Sequence, residues 1–445
     1  MNTDNKIDMC EYAVSVGEKA GADEIEAVWM DETTISVKAQ LGQVNEASKV
    51  RNEKMKIRVI KDKVVGSLVT YQLQNSALKE AVETAIRAVN ASKMDTHWDS
   101  LPSPGRYTSL NLWDSTMETI TPESMIDPVT ELVGSMPEDI SIYLALNDIS
   151  LFQHACVNSN GIQHHDRGTA GAFGMMIVGK VEGGVTPGFE KLEFMRTYTP
   201  HPHSVAESLL EKVNLFKTSQ HASSGKSHIL FAPEALEILL RYTLFQAVSG
   251  ENVARGKSLL ADKEGEQVAA PTFTLHDTGI TPQGMESREM DDEGVPCQDT
   301  PLIEQGICQG FIWNDYWAKR QNTESTGNAH YDDRTDEIAI QQNCMVVSPG
   351  DLSFEELLNV KDGYYVLGLQ GAHGSNPESG DFSVVCTPAF KITDGQLTGG
   401  VTGMMLSDNV FSLLNQIDGV GKEQTVGEIS ILPPVRCENV NVIAQ

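Results

Sequence analysis

Apolar side chains recur along the first hundred residues at two different spacings. Ile7, Cys10 and Val14 fall on one helical face, and that stripe stops near Gly21. In "TISVKAQLGQVNEAS" and "KMKIRVIKDKVVGSLVTYQL" the spacing changes to alternation, which predicts half-buried strands with a hairpin tip at Lys61-Asp62-Lys63. Helical spacing returns at Leu78, Ala81, Val82, Ala85, Ile86 and Val89, with Ser76 placed as the cap. The order α-β-β-α, with long curved strands, predicts an α+β unit over residues 1–100. "SKMDTHWDSLPSPGRY" keeps neither period and reads as a proline-marked connector.

Residues 101–224 read as strands with helices. "PESMIDPVTELVGSM" has a helical period, and strands are expected around "ISIYLALN", "FQHACVNSNGIQ" and "GAFGMMIVGKVEGG", with a turn at Asn158-Ser159-Asn160-Gly161. "SVAESLLEKVNLF" is amphipathic, with Val205, Leu209, Leu210 and Val213 on one side. Residues 225–445 open with a short strand, "SHILF", and Pro233 starts a central helix through "RYTLFQAVSG". Its Leu236, Leu239, Leu240, Thr243 and Ala247 form a stripe to bury against a sheet, and Arg241 falls outside that stripe. Short apolar runs between glycine-rich turns then continue to "VNVIA". The fold class is therefore α+β: an N-terminal α/β unit with long curved strands, followed by a mainly β C-terminal domain carrying a central helix.

Sixty-two acidic residues against 33 basic ones give a net charge of −29, a field that repels polyphosphate backbones and disfavours direct nucleic-acid binding. No apolar run reaches the roughly 18 residues that span a bilayer, and the polar start "MNTDNKIDMC" is no leader, so a soluble, cytoplasmic chain without a membrane partner is expected. Seven cysteines, odd in number, scattered and without a CxxC pair, fit reduced thiols.

The chemistry-bearing patterns are incomplete. In "GENVARGKS" five residues separate Gly250 from Gly256 where a phosphate loop needs four, and the segment leaves a helix instead of entering one; Gly250 is expected to end that helix. No two histidines stand at the spacing of a zinc-peptidase helix. His164 and His165 would point apart in a strand, while His201 and His203 are expected in a solvated loop without a local carboxylate or thiol. Cys297 and Cys308 flank an expected hairpin and lack two further ligands. "MDDEG" and "YDDRTDE" lack the alternating oxygen ligands of a calcium loop and are expected as exposed turns. There is no GxSxG elbow.

Several longer segments carry a resemblance. "MKIRVIKDKVVGSLVTY", "NSALKEAVETAIRAV", "CVNSNGIQHHDR", "ARGKSLLADKEGEQVAAPTFTLHDTG", "DDEGVPCQDTPLIEQGICQGFIWNDYWAKR", "STGNA" and "GSNPESGDFSVV" together resemble the TldD/PmbA family of bacteria and archaea, over nearly the whole chain. TldD-type members carry His-Glu-x-x-x-His on the central helix, taken with a distant cysteine to hold a metal. PmbA, or TldE, members lack that motif and pair with a TldD partner. Counted back from Gly256-Lys257-Ser258, the motif positions fall on Arg241, Tyr242 and Gln246. An arginine does not release its proton to bind a metal, and tyrosine is a poor general base near neutral pH. Cys386, in "DFSVVCTPAF", lies where TldD-type chains place their cysteine; alone it reads as a buried strand cysteine.

The resemblance implies a non-catalytic PmbA/TldE-like subunit of a heteromeric metallopeptidase acting on unfolded peptides. It implies no cofactor in this chain, zinc in a TldD-type partner, and a homo- or hetero-oligomer. An extended peptide along a strand edge would place the turn Gly371–Gly380 beside it. His373, Gly374, Ser379, Gly380, Asp381 and Phe382 are then candidates for contact with substrate or partner, and a plain glycine-rich turn is the competing reading. Two other functions stay open: a divergent metallopeptidase or hydrolase using Cys386 and a histidine such as His373, or an interaction protein that modulates DNA gyrase without peptidase activity.

Overall fold

Helix α1 (Asp4–Lys19) is followed by three strands, β1 (Glu24–Gln40), β2 (Gln43–Lys61) and β3 (Val64–Thr70). The computed structural model describes residues 4–444 except 333 and 336, so two acids of "YDDRTDE" lie outside the described residues. The sequence reading has one strand fewer because a tight reversal sits inside "TISVKAQLGQVNEAS". Leu41 and Gly42 turn the chain with φ of 50° and 79°, and a two-residue turn leaves the alternation on either side intact. The second hairpin is where expected, with Asp62 and Lys63 at φ 51° and 60°. Helix α2 (Asn75–Val89) buries Leu78, Ala81, Val82, Ala85 and Val89. Its N-cap is Gln74, without a side-chain cap, so Ser76 lies inside the first turn and not at the cap.

Thr121 caps α3 (Pro122–Gly134), accepting the Ser124 N–H. Then come β4 (Ile140–Asn158), β5 (Gln163–Val181), β6 (Gly184–Val185), β7 (Phe189–Met195) and α4 (Pro202–Phe216). "ISIYLALN" and "FQHACVN" form one continuous strand, not two. At the turn between β4 and β5 the Asn158 carboxamide oxygen accepts the N–H groups of Asn160 and Ile162. The sheet order is β3-β2-β1-β4-β5, with β6 and β7 both beyond β5. Since β1 pairs with β4 from Glu26 to Ala39, one sheet draws strands from both sides of residue 100. Helices α1 and α2 cover one region of it, over Trp29, Ile57 and Val157; α3 and α4 cover another, over Phe173 and Ile177. His201 caps α4 and His203 lies in its first turn, where a loop was expected; both are solvated, as expected, but each faces a carboxylate, Glu193 at 3.2 Å and Glu131 at 2.9 Å.

Beyond α4 lie β8 (Ser219–His221) and β9 (Gly225–Phe231), then three short helices, α5 (Pro233–Arg241), α6 (Leu244–Ala247) and α7 (Gly250–Ala254). Among the described residues the rest is mainly strand, in sheets of ten, six and two strands, with one large apolar core. This is the α+β architecture expected. No helix among the described residues is long and apolar enough to cross a membrane. All seven cysteines are free and buried.

The central helix is broken where the sequence reading keeps it whole. Thr243 sits at φ −132°, ψ −89°. Its hydroxyl donates to the Leu239 carbonyl at 2.7 Å, so the side chain takes the acceptor that its own N–H would use in an unbroken helix. Gly250 does not end the helix either. It starts α7, donates its N–H to Ile312, and lies against the Trp313 indole, where a Cβ has no room. The left-handed residue that ends this helical run is Gly256, at φ 68°.

"MDDEG" is the largest departure. Asp291, Asp292 and Glu293 are 2%, 5% and 2% exposed, not an exposed turn. Asp291 accepts backbone N–H groups of Glu293, Val295 and Ala329. Asp292 takes the Arg288 guanidinium at 2.6 Å, and Glu293 takes Arg58 of β2 at 2.9 Å. Arg58 also meets Glu26 of β1 at 3.2 Å, so a buried charge network joins the amino-terminal sheet to the carboxy-terminal region.

Candidate functional site

A cleft of about 550 Å³ opens between the amino-terminal sheet and the carboxy-terminal region. One wall is β7, contributing Phe189, Glu190, Leu192 and Phe194, with Lys212 of α4 beside it. The floor is the outward side of α5, with Glu234, Glu237, Ile238 and Arg241, followed by Tyr242. The other walls are the run Leu367–His373 and the segment Thr425–Glu428 with Ser430. β7 and the strand Leu369–Gln370 each lie at the end of their sheet, so among the described residues one side of each has no ladder partner there.

α5 presents these groups because its apolar stripe is committed inward. Leu236, Leu239 and Leu240 are at most 3% exposed, each worth roughly 1.5–3 kcal/mol of burial, which leaves Glu237 and Arg241, one turn apart, facing the cleft. Arg241 Nη2 donates to Glu237 at 2.7 Å and to Glu428 at 2.7 Å. Burial works against this guanidinium, but its bonds to Glu428 and Glu237 prevail and hold its pKa above the ordinary value. Glu237 in turn accepts the Ser430 hydroxyl. On the facing wall, burial first and the Glu234 charge second push the Glu190 carboxyl up, while burial lowers the Lys212 ammonium.

Of the three motif positions, Arg241 and Tyr242 line the cleft. Gln246 does not; it lies exposed beyond the break, its carboxamide reaching the Arg241 carbonyl at 3.4 Å. Cys386 sits one strand behind the cleft, opposite Leu369, and burial pushes its thiol far up. The donors here do not suit zinc: a guanidinium locked to two carboxylates, a phenol, a carboxamide pointing elsewhere and a protonated thiol. Among the described residues, no three His, Cys, Asp or Glu side chains gather within ligating range at this cleft.

The turn candidates divide. His373 is exposed and lines the cleft, beside Gly371 at φ 86° and the short helical turn Ala372–Gly374. Gly374 adjoins it without lining the wall. Ser379 and Asp381 instead build the turn itself: the Ser379 hydroxyl donates to Asp381 at 2.7 Å, and the Asn409 carboxamide donates to Asp381 at 2.9 Å. Gly380 is left-handed at φ 75° and packs on Val410 and Phe411, and Phe382 is core. Sequence reasoning missed Glu190, Lys212, Glu234, Glu237 and Glu428. Only Glu237 had a local sign, its four-residue spacing to Arg241.

Residues 224–444 match the family described as PmbA/TldA metallopeptidase C-terminal domain, and residues 25–89 match PmbA/TldA metallopeptidase domain 1. TldE from Thermococcus kodakarensis superposes with a TM-score of 0.94 at 31% identity, covering 98% of this chain and 100% of that one. A putative modulator of a DNA gyrase from Thermotoga maritima gives a TM-score of 0.90 at 23% identity over 98% and 99% of the two chains, which speaks for the fold alone. A metalloprotease PmbA homolog from Haemophilus influenzae is 25% identical over 337 residues, 72% of this chain and 71% of that protein. With the amino-terminal and carboxy-terminal parts both matched and the TldE fold reproduced from end to end, the chain belongs to the PmbA/TldD family, in its PmbA/TldE branch.

Proposed function

We propose that this chain is the non-catalytic, TldE-like subunit of a heteromeric metallopeptidase that acts on unfolded peptides in the cytoplasm. The observation that carries this reading is Arg241. Where TldD-type relatives are taken to place a metal-binding histidine, this chain holds a cation bonded to Glu237 and Glu428. Hydrolysis then belongs to a TldD-type partner with its zinc, and this chain supplies a wall that positions the peptide. An extended peptide adds to an end strand by main-chain hydrogen bonds, which suits β7 or Leu369–Gln370, with His373 beside it. A divergent hydrolase using Cys386 fits less well, since its thiol is 2% exposed and held protonated by burial.

The test is co-expression with a TldD-type chain. The two are expected to co-purify, and the pair to cleave unfolded peptides faster than the TldD-type chain alone. A partner that neither binds nor gains activity overturns the reading.

A further inference from the structure

Three chemistry-bearing side chains meet on the ten-stranded sheet, away from the cleft. His228 lies on β9, Asp418 on the strand Ile417–Val420 and Glu438 on the strand Val435–Ala444. Their in-sheet neighbours Ile229, Ile417 and Cys437 turn into the core, so alternation sends all three to the opposite face. There, one imidazole nitrogen and one oxygen of each carboxylate lie within 4.8 Å of one another. Regular pairing is interrupted at this spot on both flanks of the last strand, between Cys437 and Val440 and between Ile417 and Gly419, and Asn439 is left-handed at φ 57°. Ladder irregularities of this kind re-aim side chains and recur beside functional sites.

Asp418 is already oriented. Arg436 Nε donates to its two oxygens at 3.0 and 3.1 Å, and the same guanidinium is anchored by the Glu356 and Leu357 carbonyls at 3.2 and 2.8 Å. A carboxylate ligand fixed by an outer hydrogen bond is the usual arrangement around a bound metal, and each Asp418 oxygen keeps a lone pair for an ion. Two carboxylates stand against one guanidinium in this group. An imidazole nitrogen with two carboxylates is a donor set for zinc and similar transition metals. Magnesium and calcium prefer oxygen alone, and three protein ligands leave a fourth zinc position to water.

We propose that His228, Asp418 and Glu438 bind a divalent transition-metal ion, zinc in particular, at a site separate from the cleft. The ion ties three strands together and performs no hydrolysis. Zinc found on this subunit alone would then mark this site and not a peptidase centre.

The test uses the full chain after chelator treatment, titrated with zinc chloride and separately with magnesium chloride in a calorimeter. One equivalent of zinc is expected to bind, with no magnesium uptake, and zinc is expected to raise the melting temperature. His228→Ala should weaken zinc binding at least about tenfold. Glu438→Gln, at an exposed position that folding tolerates, should do the same. No zinc uptake, equal uptake of magnesium, or zinc binding unchanged in both variants overturns the proposal.

Discussion

Arg241 and Glu428 lie 187 residues apart in the chain and meet at 2.7 Å on the wall of the cleft. The pair pins the segment Thr425–Glu428 to α5, with Glu237 completing the fork. Arg241→Ala leaves Glu237, only 12% exposed at its side chain, without its cation. Because the arginine is itself partly exposed, the expected loss is modest, about 1 kcal/mol, measured as a lowered midpoint in urea. An unchanged midpoint would mean that solvent already screens the fork.

Arg58 is a different case, since its side chain is 9% exposed between Glu26 at 0% and Glu293 at 2%. Arg58→Met strands two buried carboxylates and is expected to cost about 3–5 kcal/mol. Adding Glu26→Gln should recover part of that loss. Denaturant unfolding of the single and double variants checks both statements.

Gly250→Ala tests the broken helix. A methyl group there overlaps the Trp313 indole, and overpacking of this kind costs about 1–3 kcal/mol. A glycine that merely ended a helix in a left-handed turn would be penalised for its backbone instead, but Gly250 sits at the start of α7. Far-ultraviolet circular dichroism and a urea titration separate a local repacking from a loss of fold.

How much of this was legible beforehand depends on whether the cause was local. The stripes of α1, α2, α3 and α4 were readable because period and burial agree, as were the Asp62-Lys63 and Asn158–Gly161 turns. The Leu41-Gly42 reversal was hidden because it preserves alternation. The helix break was hidden because it depends on where one threonine hydroxyl points. Asp291, Asp292 and Glu293 look like a solvated turn in any window of the sequence; their partners Arg58, Ala329 and Tyr331 arrive from elsewhere in the chain. The same holds for the cleft. Arg241 stands at a position that counting along the chain reaches, while Glu190 and Glu428 come to it only through the folded chain.

Asp166 gives the fold a pH dependence. It is 5% exposed, and burial, opposed mainly by Arg288, pushes its carboxyl from 3.8 to about 7. A raised folded-state value means that the protonated form is preferred in the native protein. Its contribution is therefore complete below about pH 4 and is lost as pH rises through 7. The shift corresponds to at most ~4 kcal/mol. Asp166→Asn should flatten the fall in stability between about pH 4 and pH 7, read from urea midpoints of both proteins. Parallel pH profiles would show that Asp166 is not the group responsible.

The shared sheet also bears on synthesis at the ribosome. β1 is made before its partner β2, from which a two-residue turn separates it, but its other edge is closed only by β4, from Glu26 to Ala39, and β4 begins at Ile140. Until β4 arrives the nascent hairpin presents the bare main-chain groups of β1 to its surroundings, and an adjacent nascent copy of the same hairpin is the most dangerous neighbour it can meet.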